Sequence, residues 1–300
     1  MDNIAWTRNE VSVSAGWGTV LLIILIMIVI TNILNLITFK HMRGLQLQHY
    51  LIICLTIVDL VTVLPHLVAV VGYFQGFVVL NLALCQAIAI FNHTVIAATT
   101  WIHCGICIDK CASIIQPLAH REFVRKFGPY RLSTCFSATV IVLTFALIFG
   151  TSLGGIIKTE FNSVVASCIY DIDLSYCLIV GGFYIFIPLV TALVTHILII
   201  NEIRKSNERR QKRIKRAIKT TALVVGIYYI CYLPYLGCVI FHVVFPQQKM
   251  LDILEFLSVQ LIILNSSMNF FILLICNKDF SQSLKIILHF KRSSEVNPEN

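Results

Sequence analysis

Apolar residues run along this chain in long unbroken blocks, not in the narrow stripes of a soluble domain. Seven blocks cover approximately residues 17–39, 48–72, 82–115, 130–155, 175–202, 213–244 and 251–275. Each is about 20 residues or longer, the length at which a helix crosses a hydrocarbon core about 30 Å thick. A helix satisfies its own backbone in lipid, and the short alternating segments of a membrane β-barrel are absent. The pattern predicts an all-α integral membrane protein, a bundle of seven transmembrane helices. The first block is too long for a cleavable signal and has few charges before it. After the seventh block, DFSQSLKIILHF (279–290) repeats Phe280, Leu284, Ile287 and Leu288 at helical spacing. That predicts a short amphipathic eighth helix on the membrane surface. The chain thus divides into an N-terminal segment (1–16), a seven-span domain (17–275), and a surface helix with tail (276–300).

Composition agrees with this division. Of the 300 residues 58% are hydrophobic and 13% charged, against about 25% charged in ordinary soluble domains. Where the charges fall sets the orientation. Segments 1–16, 73–81, 156–174 and 245–250 share only Arg8, Lys158 and Lys249 of the chain's 23 lysines and arginines. The rest cluster in 40–47, 110–131, 204–219 and 278–292. Basic loops stay in the cytoplasm, so the expectation is a multi-pass plasma-membrane protein with its N-terminus extracellular and its C-terminus cytoplasmic. The net charge of +8 speaks to anionic lipid rather than nucleic acid. The run ERRQKRIKRAIK (208–219) reads either as a partner contact or as a plain solvated face.

Of the 11 cysteines, only Cys104 and Cys107 stand at CxxC spacing, inside an apolar block and with no second pair to complete a metal site. Most fall inside spans, where a free thiol behaves as a small apolar group. Cys85 and Cys168 fall on the outer side, where disulfides persist, and form the expected bond; Cys177 is the competing partner. Strongly polar residues inside spans are functional candidates by default. They are Asn32, Asp59, Asn92, His93, Thr99, Asn265, Ser266 and Asn269. Asp59 is the lone acid deep in a span, and a buried carboxylate must be protonated, paired or cation-bound. Its neighbours by type are amides and hydroxyls, oxygen donors suited to a hard cation such as Na⁺; the plainer reading is interhelical glue.

Taken together, these residues resemble the rhodopsin-like (class A) G-protein-coupled receptors over nearly the whole chain. Asn32 in TNILNLITF and Asp59 in LTIVDLV match the family's first- and second-span polar residues. Asp109 follows Cys85 at the family interval, and Asp109-Lys110-Cys111 stands for the Asp-Arg-Tyr motif. Ile114, Pro117 and Leu118 follow as the family has them. FYIFIP ends in the fifth-span Pro188, and CYLP (231–234) matches the sixth-span Cys-Trp-x-Pro with Tyr232 in the Trp place. NSSMNFFILLICNKDF aligns Asn265, Ser266, Asn269, Asn277 and Phe280 with the seventh span and surface helix.

The resemblance implies a receptor that binds an extracellular ligand and activates a heterotrimeric G protein by helix rearrangement. It implies that Asp109 and Lys110 form a local pair when the receptor is off, with Cys111, Ile114, Pro117 and Leu118 completing the coupling face. It places Asn92, His93, Ile96, Tyr184, Tyr232, Tyr235, Glu255 and Val259 in the ligand pocket. It also implies a sodium and polar network of Asn32, Asp59, Thr99, Asn265, Ser266 and Asn269. Asn92 stands where amine receptors carry an acid, and residues 251–275 hold no lysine for retinal, so no cofactor is expected beyond Na⁺. Acidic outer loops (Glu160, Asp171, Asp173, Asp252, Glu255) favour a cationic small molecule or short basic peptide, with Glu255 as counter-charge. The chain departs from the family at Lys110, His196, Phe270 and Leu273. A seven-span protein that binds ligand without coupling, or a transporter or channel, is the alternative. A membrane enzyme is not expected, since no catalytic motif is present.

Overall fold

The computed structural model describes residues 7–11, 15–171, 175, 177–205, 208–245 and 252–293. The other parts of the N-terminal segment, Asp173, Lys249 and the tail after Ser293 lie outside the described residues, as do the side chains of the 208–219 basic run and of Val180 and Asp252.

In chain order the elements begin with β1 (Thr7–Glu10), α1 (Ala15–His41), α2 (Leu47–Gln75), β2 (Phe77–Leu80), α3 (Leu82–Ile115), α4 (Pro117–Phe127) and α5 (Pro129–Leu153). There follow β3 (Thr159–Asn162), β4 (Ser167–Tyr170), a π-helix (Cys177–Phe186), α6 (Ile187–Lys205), α7 (Glu208–Val244), α8 (Asp252–Cys276) and α9 (Lys278–Ser293). Among the described residues seven helices are long and apolar enough to cross a membrane, and α4 and α9 are not among them. The bundle places α3 at its centre, against α2, α5, α6 and β4. Large side chains such as Ile23, Leu64, Val142 and Leu193 point outward, the surface a lipid bath requires. The seven predicted spans are therefore present, within a few residues of their expected bounds.

Local chemistry explains the irregular places. Gly76 ends α2 at φ 75°, a backbone state L side chains avoid, and turns the chain into β2. Gly105 lets α5 approach α3: a Cβ there would meet the Phe136 ring at 2.5 Å. Pro188 has no N–H to give the carbonyl four residues back. That carbonyl, of Tyr184, accepts instead from the Thr100 hydroxyl at 3.0 Å, which ties the π-helical entry of the fifth span to α3.

Two features were not expected from the sequence. Two antiparallel strand pairs, the sequence-distant β1 with β2 and the hairpin of β3 with β4, sit at the end of the bundle that carries Cys85. At the opposite end, the basic stretch 110–131 contains the helix α4, bounded by Pro117 in its first turn and Gly128 at its C-cap.

The last helix docks through its aromatic face. Phe280 is fully buried and meets Phe39 edge-on at 5.4 Å and Phe270 at 6.0 Å. Leu273 and Leu284 complete the cluster, whereas Leu288 is exposed. The Asn277 side chain caps α9 by accepting from the backbone N–H of Asp279 and Phe280. Phe280→Ala should cost about 3 kcal/mol, as for a large core aromatic, and release α9. Thermal unfolding, with hydrogen exchange over 278–288, checks this; an unchanged melting temperature would count against the docking.

Candidate functional site

A cavity opens at the disulfide end, enclosing about 1330 Å³ with its mouth. Asn92, His93 and Ile96 come from α3, Tyr184 from the π-helix, Tyr232 and Tyr235 from α7, and Glu255 and Val259 from α8. All eight residues assigned to a ligand pocket from the sequence thus line one space. So do His66, His242 and Gln260, which sequence reasoning passed over. Among the described residues the lining contains one carboxylate, Glu255, and no lysine or arginine.

The β3–β4 hairpin covers this space. Cys85 and Cys168 are disulfide-bonded, with Cα atoms 5.3 Å apart, which resolves the choice against Cys177. The Tyr73 hydroxyl donates to Val164 O at 2.8 Å, and the His93 ring stacks against Tyr170 at 4.7 Å. Asn162 accepts from the N–H groups of Val164 and Val165 to shape the turn, and donates to Glu255 Oε1 at 2.5 Å. Val165, Ser167 and Ile169 then face the cavity from above. Burial raises the Glu160 carboxyl above the ordinary glutamate range, helped by the negative charges of Asp171 and Glu255 and opposed by His242.

The polar network lies below. Tyr232 forms its roof, stacked on Tyr228 at 4.3 Å. Asn32 donates from Nδ2 to Ile28 O and to Ser266 O, at 2.9 and 3.0 Å. Asn269 Nδ2 donates to Asp59 Oδ2 at 3.1 Å, and the Ser266 side chain lies beside the same carboxylate. Asn265 and Thr99 are buried alongside. His103, absent from the sequence-derived set, joins through Asn269 at 3.4 Å. Asp59 Oδ1 is buried without a partner, so Asp59 and Ser266 offer oxygens to a hard cation. The Asn269 amide stands between the carboxylate and His103.

At the opposite end the expected Asp109–Lys110 pair is replaced. Asp109 Oδ1 accepts from His120 Nε2 of α4 at 2.7 Å, and Lys110 Nζ donates to Gln48 Oε1 of α2 at 2.8 Å. Adjacent residues on a helix point about 100° apart and do not face each other, so each finds a partner on a different neighbour. Cys111 and Ile114 are buried against Ile199 of α6. Pro117 starts α4, and Leu118 is 83% exposed. His196 donates to Ala192 O, and Phe270 and Leu273 belong to the cluster around Phe280.

Seven spans, a disulfide-tied hairpin and a cavity above a buried polar network make up a membrane receptor architecture. The chain belongs to the 7 transmembrane receptor (rhodopsin family), whose family model matches residues 29–273. No curated protein matches the sequence closely enough to count as a relative.

Proposed function

We propose that this receptor is activated by an extracellular cation, a small molecule or short basic peptide, and that it drives nucleotide exchange on a heterotrimeric G protein. The observation that carries the reading is the cavity lining, where among the described residues Glu255 is the one carboxylate and no lysine or arginine accompanies it. Tyr184, Tyr232 and Tyr235 add ring faces that attract cations. The positive-inside rule supports an extracellular N-terminus and a cytoplasmic face formed by α4, α9 and the basic 204–219 segment. That face presents the exposed Leu118 to the G protein, with Lys110 held beside it on Gln48, and its basic charge suits anionic lipid.

Glu255→Gln should weaken cationic agonists about 10-fold or more, the loss of roughly 1.4 kcal/mol or above for a charge-assisted contact. The check is agonist-stimulated exchange on purified G proteins, scanned over amines and basic peptides; equal potency on both proteins would remove Glu255 from the site. Agonist affinity should also fall with acidity. Glu160 takes up its proton at a higher pH than an ordinary glutamate, so the negative field at the mouth is full above that point and fades as pH falls through it. Glu160→Gln should flatten this part of the binding profile.

A second reading, ligand binding without coupling, is favoured by one observation. Lys110 is bonded to Gln48, and the tyrosine that the family carries near it is Leu273, packed in an apolar cluster.

A further inference from the structure

We propose that α4 is an interfacial helix that docks on the anionic surface of the bilayer. Its Phe123 and Phe127 rings seat among the acyl chains, and Arg121, Arg125 and Lys126 meet lipid headgroups. The tethers of α4 fix where it lies. It has 11 residues, a length of about 16 Å at 1.5 Å per residue. Gln116 alone separates it from α3 and Gly128 alone from α5, and both of those helices are spans. A helix held this closely at both ends runs along the membrane edge and cannot move off into solvent.

Its roll is fixed as well. His120 Nε2 donates to Asp109 Oδ1 of α3 at 2.7 Å, and Val124, one turn on, is half-buried. These two positions mark the side of α4 turned toward the bundle. At 100° per residue, Phe123 and Phe127 lie about 60° and about 20° from His120, whereas Leu118 lies about 160° away. The two phenylalanines therefore look the same way as His120, yet they are 52% and 47% exposed. Their ring centroids are 5.0 Å apart, which makes one apolar ridge. Beside a bundle at this level stands lipid, and membrane proteins carry belts of aromatic side chains at that depth. Leu118, on the far side, stays free for a docked G protein while the ridge is in the bilayer.

Charge follows the same geometry. Arg121 and Arg125 lie on one flank, about 100° and about 140° from His120, and Lys126 lies on the other, about 120° away. Lys126 Nζ is 5.6 Å from the Phe127 ring. Glu122, the one acid of α4, lies about 160° away, on the far side with Leu118. An apolar side toward the membrane, cations along both edges and the acid farthest off are the marks of a helix that lies in the interface. The three cations are exposed, and among the described residues none is ion-paired with a carboxylate. A helix is about 10–12 Å across, close to the Debye length of about 8 Å at physiological salt. Each cation therefore feels the charge of an anionic leaflet. A soluble partner could reach the ridge only through space that the bilayer fills, which favours lipid as the occupant. That this leaflet is the cytoplasmic one rests on the orientation proposed for the receptor.

The test is the emission that Phe123→Trp adds to the full chain, taken over wild type. It is read in nanodiscs of phosphatidylcholine alone and of phosphatidylcholine with phosphatidylserine, each with a lipid brominated near the headgroup end of its acyl chains. The expected result is blue-shifted, quenched emission with phosphatidylserine, a smaller shift with phosphatidylcholine alone, and loss of the difference in high salt. Phe127→Trp should report the same. Arg121→Gln, Arg125→Gln and Lys126→Gln together should remove the gain from phosphatidylserine, and inorganic phosphate added to phosphatidylcholine discs should not reproduce it. Red, unquenched emission in both discs overturns the inference, because the ridge then stands in water. A blue shift that appears only when a G-protein heterotrimer is added overturns it by giving the ridge to a protein. Equal quenching in both discs, unchanged in the triple variant, or a shift produced by inorganic phosphate, overturns it as well. If neither tryptophan variant folds, the wild type decides: hydrogen exchange over 117–127 should be slower with phosphatidylserine than without, and equal rates overturn the inference. A nanodisc offers the same lipid on both faces, so failure here leaves the receptor's orientation and its cavity reading intact.

Discussion

Cys168→Ser should strip the cavity of its cover, lower the melting temperature sharply and abolish ligand binding together. The disulfide closes a loop of 83 residues in sequence separation. In the chain-entropy account a loop of that length is worth about 4 kcal/mol, less where the unfolded chain keeps structure. Non-covalent ties remain, among them the Tyr73 hydroxyl on Val164 O, Asn162 Nδ2 on Glu255 Oε1, Asn92 Nδ2 on Ser167 Oγ at 3.5 Å, and the His93–Tyr170 ring pair. None of these fixes Val165, Ser167 and Ile169 over the cavity as a covalent bond does. Cys85→Ser should reproduce the loss, and the double variant should add nothing, since each single change already breaks the same bond. Cys177→Ser should behave as wild type. Thermal unfolding and ligand binding on the same preparations check the set; a Cys168→Ser protein with normal binding would show that the hairpin is not needed as a cover.

Opposite changes on one hydrogen bond should move nucleotide exchange in opposite directions. Lys110 Nζ is held by Gln48 Oε1 at 2.8 Å. A lysine held this way is turned toward α2 and away from the face where a G protein would dock. Gln48→Ala frees it and should raise basal exchange; Lys110→Ala removes the charge and should abolish exchange, by about 10-fold or more, the equivalent of one charged contact. Lys110→Arg should raise coupling, because the guanidinium brings a planar, two-pronged donor that an ammonium lacks. Phe270→Pro, the other change toward the family pattern, should instead unfold this region. Phe270 is buried against Phe280, and a proline in mid-helix costs about 3 kcal/mol or more besides the lost ring. Exchange assays with matched melting curves separate the two kinds of loss. Equal exchange from wild type, Gln48→Ala and Lys110→Ala would remove Lys110 from the coupling face.

What the sequence made legible was what lipid and spacing enforce. Seven apolar blocks had to be spans, and the interval from Cys85 to Asp109 set the register of α3. Given that register, the eight cavity residues fell on inward-facing turns of their helices. The hairpins were missed because four-residue strands carry too little alternation to read. The helix α4 left a signal in Pro117 and Gly128, but it sat in a stretch read as basic loop. The Asp109–His120 bond and the Lys110–Gln48 bond depend on how α4 and α2 pack on α3, which no local pattern encodes. His103 and His66 are different: both are polar residues inside spans, and the rule that singled out His93 would have found them.

The most direct test of the account is guanine-nucleotide exchange on purified heterotrimeric G proteins by the reconstituted receptor, with cationic small molecules and basic peptides as ligands. The account predicts that at least one such ligand accelerates exchange and that Glu255→Gln shifts its potency about 10-fold or more. A ligand that binds the cavity tightly and accelerates exchange on none of the heterotrimers would contradict it.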